Sequence, residues 1–187
     1  MMRLCAVLAA VAPLALALAM GSQGWAGPGG PSPDVAARLD AVCGQTGVYD
    51  CYTNHRYGYV VAWPKMHLTG QGESDSGDGQ IFSSPDGQAQ LACWASFNEV
   101  LGESIGQAFA RALQEAGTQV SYKHLGKDFF VISGVKDGMI FYRKTLLAHG
   151  VQASFELRYA AQLKAAFDPI VKDVARSFSV DPAFSWR

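Results

Sequence analysis

Alternating apolar and polar residues predict a β-sheet in the second half of the chain. The clearest case is the stretch 151–159, where the two kinds of residue fall on opposite faces of an extended strand. The apolar face comprises Val151, Ala153, Phe155, Leu157 and Tyr159, and the other face comprises Gln152, Ser154, Glu156 and Arg158. Strand-like runs at 119–125, 128–135 and 139–147 precede it with short turns between them, which predicts four consecutive antiparallel strands.

Three further strand-like runs lie upstream of these four. Residues 56–64 are rich in aromatic and β-branched side chains and stop at Pro64, which predicts one strand. The runs 80–84 and 88–97 are joined by the sequence Pro85–Gly87. Proline presets its own φ and glycine accepts a positive φ, so this junction predicts a β-hairpin.

Apolar residues at helical spacing predict three helices. The first covers 34–44, and the second covers 103–117, where Ser104 and Gln107 form a capping-box pattern and Gly117 ends the helix. The third covers 160–178, and within it Pro169 predicts either a kink or the start of a second helix capped by Asp168.

The order of these elements predicts an α+β fold. We expect an antiparallel sheet of about six or seven strands with helices packed against it. Strands and helices do not alternate along the chain as they do in a parallel Rossmann sheet. The predicted organisation is an N-terminal helix and cysteine loop over 34–55, followed by the main domain over 56–187.

The N-terminal segment 1–26 has the layout of a secretory signal peptide. Arg3 precedes an apolar run, and a small-residue site ends at Ala26, with Ala19 as an alternative cleavage position. The alternative is an uncleaved anchor, although the run is short for a span of about 20 residues. A flexible Pro/Gly linker over 27–33 follows. We therefore predict a periplasmic or secreted protein with no membrane span after signal removal.

Composition narrows the class of partner. The chain has 187 residues, of which 49% are hydrophobic and 17% charged, as in a globular domain with a core. The formal net charge of −1 lacks the basic excess that neutralises a phosphate backbone, so we do not expect nucleic acid as a partner.

Three cysteines follow the predicted signal peptide. Cys43 and Cys51 flank a short turn-rich loop, and an oxidising compartment would permit a disulfide between them. The alternative is that all three thiols are free. Cys93 lies in an apolar strand pattern, which is typical of a small buried side chain rather than of a nucleophile.

An acidic stretch over 73–79 is a candidate cation site. Glu73, Asp75 and Asp78 offer three carboxylates, but hard cations need six to eight oxygens and this spacing does not follow the EF-hand pattern. We therefore favour a turn at Asp78 and Gly79 that leads into the next strand, with metal binding as the alternative.

Aromatic and basic residues on the predicted strands form a candidate ligand or partner surface. Trp94, Tyr122, Tyr142 and Arg143 are its main members, and Lys123, Lys144 and Arg158 accompany them. The alternative is that the aromatic rings belong to the core and the charges to a solvated face. Because GxSxG elbows, phosphate-binding glycine loops and metal-spaced histidines are absent from the sequence, we predict no catalytic residues and no cofactor.

Residues 57–178 resemble the PsbP-like superfamily, and most closely its exported bacterial members. The resemblance rests mainly on "SDSGDGQIFSSPDG", followed by an apolar strand, and on "FDPIVKDVARSF" near the end of the chain. It implies an α/β/α sandwich. The superfamily includes a photosystem extrinsic subunit and a Ran-binding transport factor, so the resemblance implies a binding or assembly role and carries no catalytic residues.

These observations lead to three hypotheses about function. The favoured one is an exported, non-enzymatic binding or assembly module whose partner is an unidentified protein or small molecule. The second is a small exported hydrolase with a dispersed site. The third is a cation-binding protein that uses the acidic stretch 73–79.

Overall fold

A computed structural model describes residues 31–44 and 47–183 of the chain. The predicted signal peptide and residues 27–30 of the predicted linker lie outside the described residues. In chain order the elements are α1 (Pro33–Cys43), β1 (Asp50–Asn54), β2 (Tyr59–Trp63), β3 (Thr69–Glu73), β4 (Gly79–Ser83), β5 (Ala89–Phe97), α2 (Asn98–Leu101), α3 (Ile105–Ala116), β6 (Val120–Leu125), β7 (Phe129–Lys136), β8 (Met139–Ala148), β9 (Val151–Ala160), α4 (Lys164–Ser177) and β10 (Ser179–Val180).

Seven antiparallel strands form the main sheet, in the order β3-β4-β5-β9-β8-β7-β6. The α+β prediction is confirmed, and the four consecutive strands expected in the second half of the chain are β6 to β9. The hairpin predicted around Pro85–Gly87 joins β4 to β5, and Gly87 adopts a φ of +70° there. That left-handed conformation is the reason why glycine suits this position.

Three short strands were not predicted, and two of them build a second, smaller sheet. The predicted strand 56–64 is β2, which pairs with β1 and with β10 rather than with the main sheet. The third unpredicted strand, β3, has the sequence TGQGE and forms an edge of the main sheet. These segments carry no hydrophobic period, so pairing with a neighbour rather than local preference makes them strands.

Helices cover both faces of the main sheet. The first face, to which the odd-numbered residues of β9 point, packs on α4 and on the small sheet, with Phe155 and Leu157 fully buried in the larger core. The second face, to which the even-numbered residues of β9 point, packs on α3 through a smaller cluster that includes Ala108, Ala112 and Phe130. The result is a sandwich with the main sheet in the middle.

The C-terminal helix excludes one of the two alternatives predicted at Pro169, the start of a second helix. Pro169 lies inside a single helix, α4, and Asp168 does not cap a second one. Instead, Asp168 pairs with Lys164 one turn earlier and accepts a hydrogen bond from the hydroxyl of Tyr159 at 3.2 Å. The proline falls at the sixth helical residue, where the backbone amide that it lacks would bond to Ala165, and packing of Phe167 and Ile170 into the core holds the helix together.

The predicted disulfide is confirmed. Cys43 at the end of α1 is bonded to Cys51 in β1, with the two Cα atoms 6.0 Å apart. Structural disulfides are typical of proteins that fold in an oxidising compartment. Among the described residues, no helix has the length and apolar character needed to cross a membrane.

Candidate functional site

The polar face of β9 lies beneath α3. Gln152, Ser154 and Glu156 are only 8%, 3% and 7% exposed, although each is polar or charged. The predicted alternation along β9 is confirmed, but its polar face, apart from Arg158, is buried rather than solvated. The reason is that β9 is the central strand of the main sheet and both of its faces are covered.

A polar cavity of about 200 Å³ lies between α3 and this face of the sheet. It is lined by Trp94 of β5, Ala108, Arg111, Ala112 and Glu115 of α3, Phe130 of β7, Arg143 and Thr145 of β8, and Gln152 and Ser154 of β9. Ala108 and Ala112 are the buried residues of α3, and because both side chains are single methyl groups they leave room above the strands. We call this space the α3 cavity.

Gln152, which lines the α3 cavity, also carries a buried acceptor that is unsatisfied. The Oε1 atom of Gln152 is buried and has no hydrogen-bond partner. Nearby, the hydroxyls of Thr145 and Ser154 are hydrogen-bonded to each other at 2.8 Å. A buried polar atom left without a partner costs about 1–3 kcal/mol, so Oε1 of Gln152 lowers the stability of the folded protein by about that amount.

A chain of ion pairs includes three residues that line the α3 cavity, Arg111, Glu115 and Arg143. The network runs in the order Glu103, Arg111, Glu115, Arg143, Glu156 and Arg158, and so alternates in sign from the loop before α3 to β9. Arg143 is at its centre, with Nε 2.8 Å from Glu156 and Nη1 3.0 Å from Glu115. These contacts fix the guanidinium of Arg143 at the wall of the cavity.

The ion pairs favour the ionised form of two carboxyl groups in the network, those of Glu115 and Glu103. Burial opposes ionisation of Glu115, but hydrogen bonds from Arg143 and Arg111 prevail and lower the pKa of that carboxyl. Hydrogen bonding to Arg111 likewise lowers the pKa of Glu103. Each arginine at the cavity is therefore already neutralised by a protein carboxylate at neutral pH.

Two of the four predicted binding residues meet at the α3 cavity. Trp94 and Arg143 both line it, and the guanidinium carbon of Arg143 lies 5.6 Å from the centre of the Trp94 ring, within cation–π range. Residues of β9 lie between them in the sheet, because Trp94 pairs with Ser154 and Arg143 pairs with Glu156. The sheet thus joins residues that are far apart in sequence.

The other two predicted residues lie on the first face. Tyr142 is stacked on Phe155 of the larger core, with ring centres 5.9 Å apart, and Tyr122 is 55% exposed beside it. Burial, with a smaller contribution from Tyr122, raises the pKa of Tyr142. Lys144 lies on the same face and donates from Nζ to the carbonyl oxygen of Ala175 at 2.7 Å. These side chains do not reach the α3 cavity.

Lys144 is expected to make stability depend on pH. Burial, helped by Arg38 and opposed by Asp128, lowers the pKa of Lys144 from 10.5 to about 8. Between these two values the unfolded chain binds more protons than the folded one, so stability rises with pH across that window. We expect the free energy of unfolding to gain about 1.5 kcal/mol from this group between pH 8 and 9.5.

Urea titrations at several pH values check this expectation. The Lys144→Met variant should lack that gain, whereas Lys172→Met, which removes an exposed ammonium from α4, should keep it. Equal pH slopes in wild type and Lys144→Met would contradict the expectation. Comparing slopes rather than absolute values removes the cost of the hydrogen bond lost to Ala175.

The acidic stretch forms the turn between β3 and β4. Its Asp78 accepts hydrogen bonds from the hydroxyls of Ser74 and Ser76, and these bonds lower the pKa of Asp78. The hydroxyl of Tyr52 donates to Glu73 at 2.6 Å, while Asp75 is exposed. In the part of the chain that the structure describes, no group of three or more His, Cys, Asp or Glu side chains could hold a metal ion.

The small sheet holds this turn in place. Asn54, only 1% exposed, donates from Nδ2 to the carbonyl oxygen of Gly77 at 3.0 Å. The hydroxyl of Tyr59 donates to the backbone carbonyl oxygen of Asp78 at 3.0 Å. Arg56 donates to the carbonyl oxygen of Ser76. The turn is therefore held to the small sheet through its backbone carbonyl oxygens.

Cys93 lies on the first face, away from the α3 cavity. Its thiol is buried and donates to the carbonyl oxygen of Gln80 at 3.3 Å. Burial raises the pKa of Cys93 to about 11, so little thiolate exists at neutral pH.

The residues that sequence analysis missed are those at the bottom of the α3 cavity. Gln152, Ser154 and Thr145 were assigned to strands but not to a site, because a polar strand face normally points to solvent. A signal was present in α3, where two alanines take the core-facing positions over which larger apolar residues could have packed.

The fold is similar to that of known proteins, although the sequence is not. No family model and no curated protein sequence matches the chain. The solution structure of cyanobacterial PsbP from Synechocystis matches with a TM-score of 0.54 and 14% identity, covering 74% of this chain and 96% of that one. The crystal structure of PA94 from Pseudomonas aeruginosa, described as a protein of unknown function, matches with a TM-score of 0.42 and 16% sequence identity. The match covers 73% of this chain and 99% of that one. The resemblance seen in the sequence is thus confirmed at the level of architecture, and the chain has a PsbP-like fold.

Proposed function

We propose that this protein is an exported, non-enzymatic binding module whose ligand site is the α3 cavity. The observation that carries the proposal is a cavity beneath α3 that brings Trp94 and Arg143 together with the polar residues Gln152 and Ser154 of β9. Small-molecule sites are typically concave and combine an aromatic wall with a few converging polar groups. The polar lining and the volume of about 200 Å³ favour a small molecule over a protein partner.

We further propose that the protein acts in the periplasm or outside the cell. The disulfide between Cys43 and Cys51 supports this location, as does the signal-peptide pattern of residues 1–26. A binding role also agrees with the state of Cys93, because a buried thiol with a raised pKa is a poor nucleophile.

Two assays on the purified full chain test the proposed function. The first offers generic esterase, phosphatase and peptidase substrates, and we expect no turnover. The second equilibrates the protein with a small-molecule extract of its host, washes it, and identifies retained compounds by mass spectrometry. We expect a compound retained by wild type and lost from Gln152→Met. Turnover abolished by one point substitution, or an empty wild-type protein, would overturn the proposal.

A further inference from the structure

A second cavity, of about 310 Å³, lies on the second face toward the β3 edge of the main sheet. Its lining comes from β3, the turn after it, β4 and β5, and includes Ile81, Ala92 and Trp94. Trp94 pairs with Ser154, on the side of β9 that faces α3, and Ala92, two residues away, points the same way. Ile81 pairs with Ala92 and shares its face. We call this space the β4 groove.

Trp94 is shared by the β4 groove and the α3 cavity. It belongs to a row of directly opposed residues across the sheet, in the order Thr145, Ser154, Trp94 and Gly79. Thr145 and Ser154 line the α3 cavity, and Gly79 lines the β4 groove. Neighbouring strands are about 4.8 Å apart, so the row is about 14 Å long. One elongated ligand that lies across Trp94 can therefore contact both spaces.

The β4 groove offers apolar surface to a ligand. Ile81 is 44% exposed, which leaves much of a large aliphatic side chain in contact with water. The methyl group of Ala92 and the indole of Trp94 accompany it in the lining. An apolar chain that covers this surface binds favourably, because each methylene removed from water is worth up to about fourfold in affinity.

The acidic residues that also line the β4 groove are already engaged. Glu73 accepts a hydrogen bond from the hydroxyl of Tyr52 in the small sheet, which packs on the first face. Asp78 accepts hydrogen bonds from Ser74 and Ser76 within its own turn. An apolar chain in the groove therefore does not have to strip water from an unpaired carboxylate.

The α3 cavity offers hydrogen-bond donors instead of apolar surface. Arg111 and Arg143 line it, and their side chains are 44% and 17% exposed, so neither is closed off from solvent. A guanidinium has five N–H donors, of which the ion pairs use three on Arg111 and two on Arg143. The donors that remain need acceptors. The polar part of a ligand should therefore carry oxygen.

The volumes of the two spaces agree with a ligand that occupies both. Pockets for drug-sized ligands hold about 300–1,000 Å³. The β4 groove, at about 310 Å³, lies at the lower end of this range, and the α3 cavity, at about 200 Å³, lies below it. A ligand that uses both spaces falls well inside the range.

We infer that the ligand is a single-chain amphiphile, with its oxygen-bearing head in the α3 cavity and its apolar chain in the β4 groove. The head faces Arg111 and Arg143, and the chain crosses Trp94 to reach Ile81 and Ala92. This inference rests on the proposed function, to which it adds a second part of the site and a ligand class. A fatty acid and a neutral lipid with a hydroxyl head share this chemistry.

Calorimetric titration of the full chain with matched probes tests the inference. The probes are octanoate, hexanoate, octanol, hexanol and octylammonium, all kept below the concentrations at which they form micelles or separate from solution. We expect octanoate or octanol to bind wild type, and the hexyl analogue to bind at least about fourfold more weakly. Octylammonium, whose head only donates, should bind at least about tenfold more weakly than the better octyl probe. The two oxygen-bearing heads distinguish a fatty acid from a neutral lipid as the source of the chain.

Substitutions at the two ends of the site should have different effects. Ile81→Thr keeps a β-branched side chain in β4 but removes apolar surface, so it should reduce the difference between octyl and hexyl probes to less than about twofold. Arg111→Met should weaken octyl and hexyl probes by the same factor, at least about threefold. The matched control Met66→Thr removes another exposed apolar side chain, outside both spaces, and should bind as wild type does.

An octanoate brominated at its chain end locates the apolar chain. Bromine quenches tryptophan fluorescence on contact, so this probe should quench wild type and lose most of that quenching in Trp94→Phe. Trp63→Phe, which replaces a ring stacked on Phe82, should leave the quenching in place. Quenching that survives in Trp94→Phe would overturn the inference, because the chain would then lie elsewhere.

The outcomes separate the ligand class from the proposed function. Binding that does not depend on chain length, or that Met66→Thr weakens as much as Ile81→Thr does, overturns the inference. Octylammonium binding as tightly as octanoate and octanol also overturns it. Absence of binding by every probe overturns the inference too, and the host-extract assay then decides the proposed function separately.

Discussion

Replacing Arg143 by methionine is expected to lower the free energy of unfolding by about 3 kcal/mol. The side chain of Glu156 is only 8% exposed, and without Arg143 its carboxylate keeps one partner, Arg158, which is 46% exposed. A buried carboxylate pays a desolvation cost that its partners must repay, so loss of the better-buried partner leaves most of that cost uncompensated.

Replacing both Arg143 and Glu156 should lower the free energy of unfolding much less than replacing Arg143 alone. In Arg143→Met/Glu156→Met the uncompensated carboxylate is removed together with its partner, and we expect a loss of about 1 kcal/mol or less. Glu156→Met alone leaves Arg143 paired with Glu115 and should cost less than Arg143→Met. Urea unfolding of the four proteins at pH 7 should give a coupling energy of at least about 2 kcal/mol.

An exposed pair in the same network is the control for this cycle. Arg111 and Glu103 form a bidentate pair whose side chains are 44% and 22% exposed. Because water screens such a pair, the equivalent methionine cycle should give a coupling of at most about 1 kcal/mol. Additive effects at Arg143 and Glu156 would contradict our account and would mean that Arg158 alone satisfies the buried carboxylate.

The core strands could be predicted from sequence because their period is local. The alternation along 151–159 located β9, and the Pro85–Gly87 turn located the hairpin of β4 and β5. The short strands β1, β3 and β10 could not be predicted in this way. Their residues become strands only through hydrogen bonds to partners elsewhere in the chain, and no local pattern records those partners.

The burial of the polar face of β9 could not be predicted from the sequence either, for a related reason. Whether Glu156 is solvated depends on whether a helix covers that face, and α3 is separated from β9 by three strands of sequence. The charges that compensate for the burial of Glu156 are on Arg143 of β8 and Arg158 of β9. Periodicity assigns side chains to faces, but it does not reveal what lies above a face.

Two of the four binding residues predicted from sequence, Trp94 and Arg143, line the α3 cavity, and the other two, Tyr122 and Tyr142, do not. The pleat of the strand explains this division for the residues of β8. Tyr142 and Arg143 are adjacent in β8, and successive side chains of a strand point to opposite faces. They could therefore never have lined one surface together. Arg143 and Trp94 share the second face through the register of β5, β9 and β8, which the sequence does not specify.

Replacing Gly79 by alanine is expected to cost about 3 kcal/mol of unfolding free energy. A Cβ atom on Gly79 would overlap the carbonyl oxygen of Cys93, and it would lie 2.8 Å from the carbonyl carbon of Cys93 and 2.9 Å from the Cα of Trp94. These are backbone atoms of the neighbouring strand β5, so no side-chain rotation can relieve the overlap. Strand β4 must move away from β5, which breaks pairing in the main sheet.

The same glycine-to-alanine change in α3 is the control for Gly79. A Cβ atom on Gly106 meets only Ser104 Oγ, at 4.0 Å, and alanine favours a helix over glycine, so Gly106→Ala should stabilise by up to about 1 kcal/mol. Urea midpoints that shift in the same direction for both variants would contradict the argument. Because Gly79 of the displaced strand β4 pairs directly with Trp94 of β5, this variant should also weaken ligand binding in the α3 cavity, whereas Gly106→Ala should not. The spacing between β4 and β5 at Gly79 thus determines the position of the Trp94 indole in the α3 cavity, even though Gly79 itself does not line the cavity.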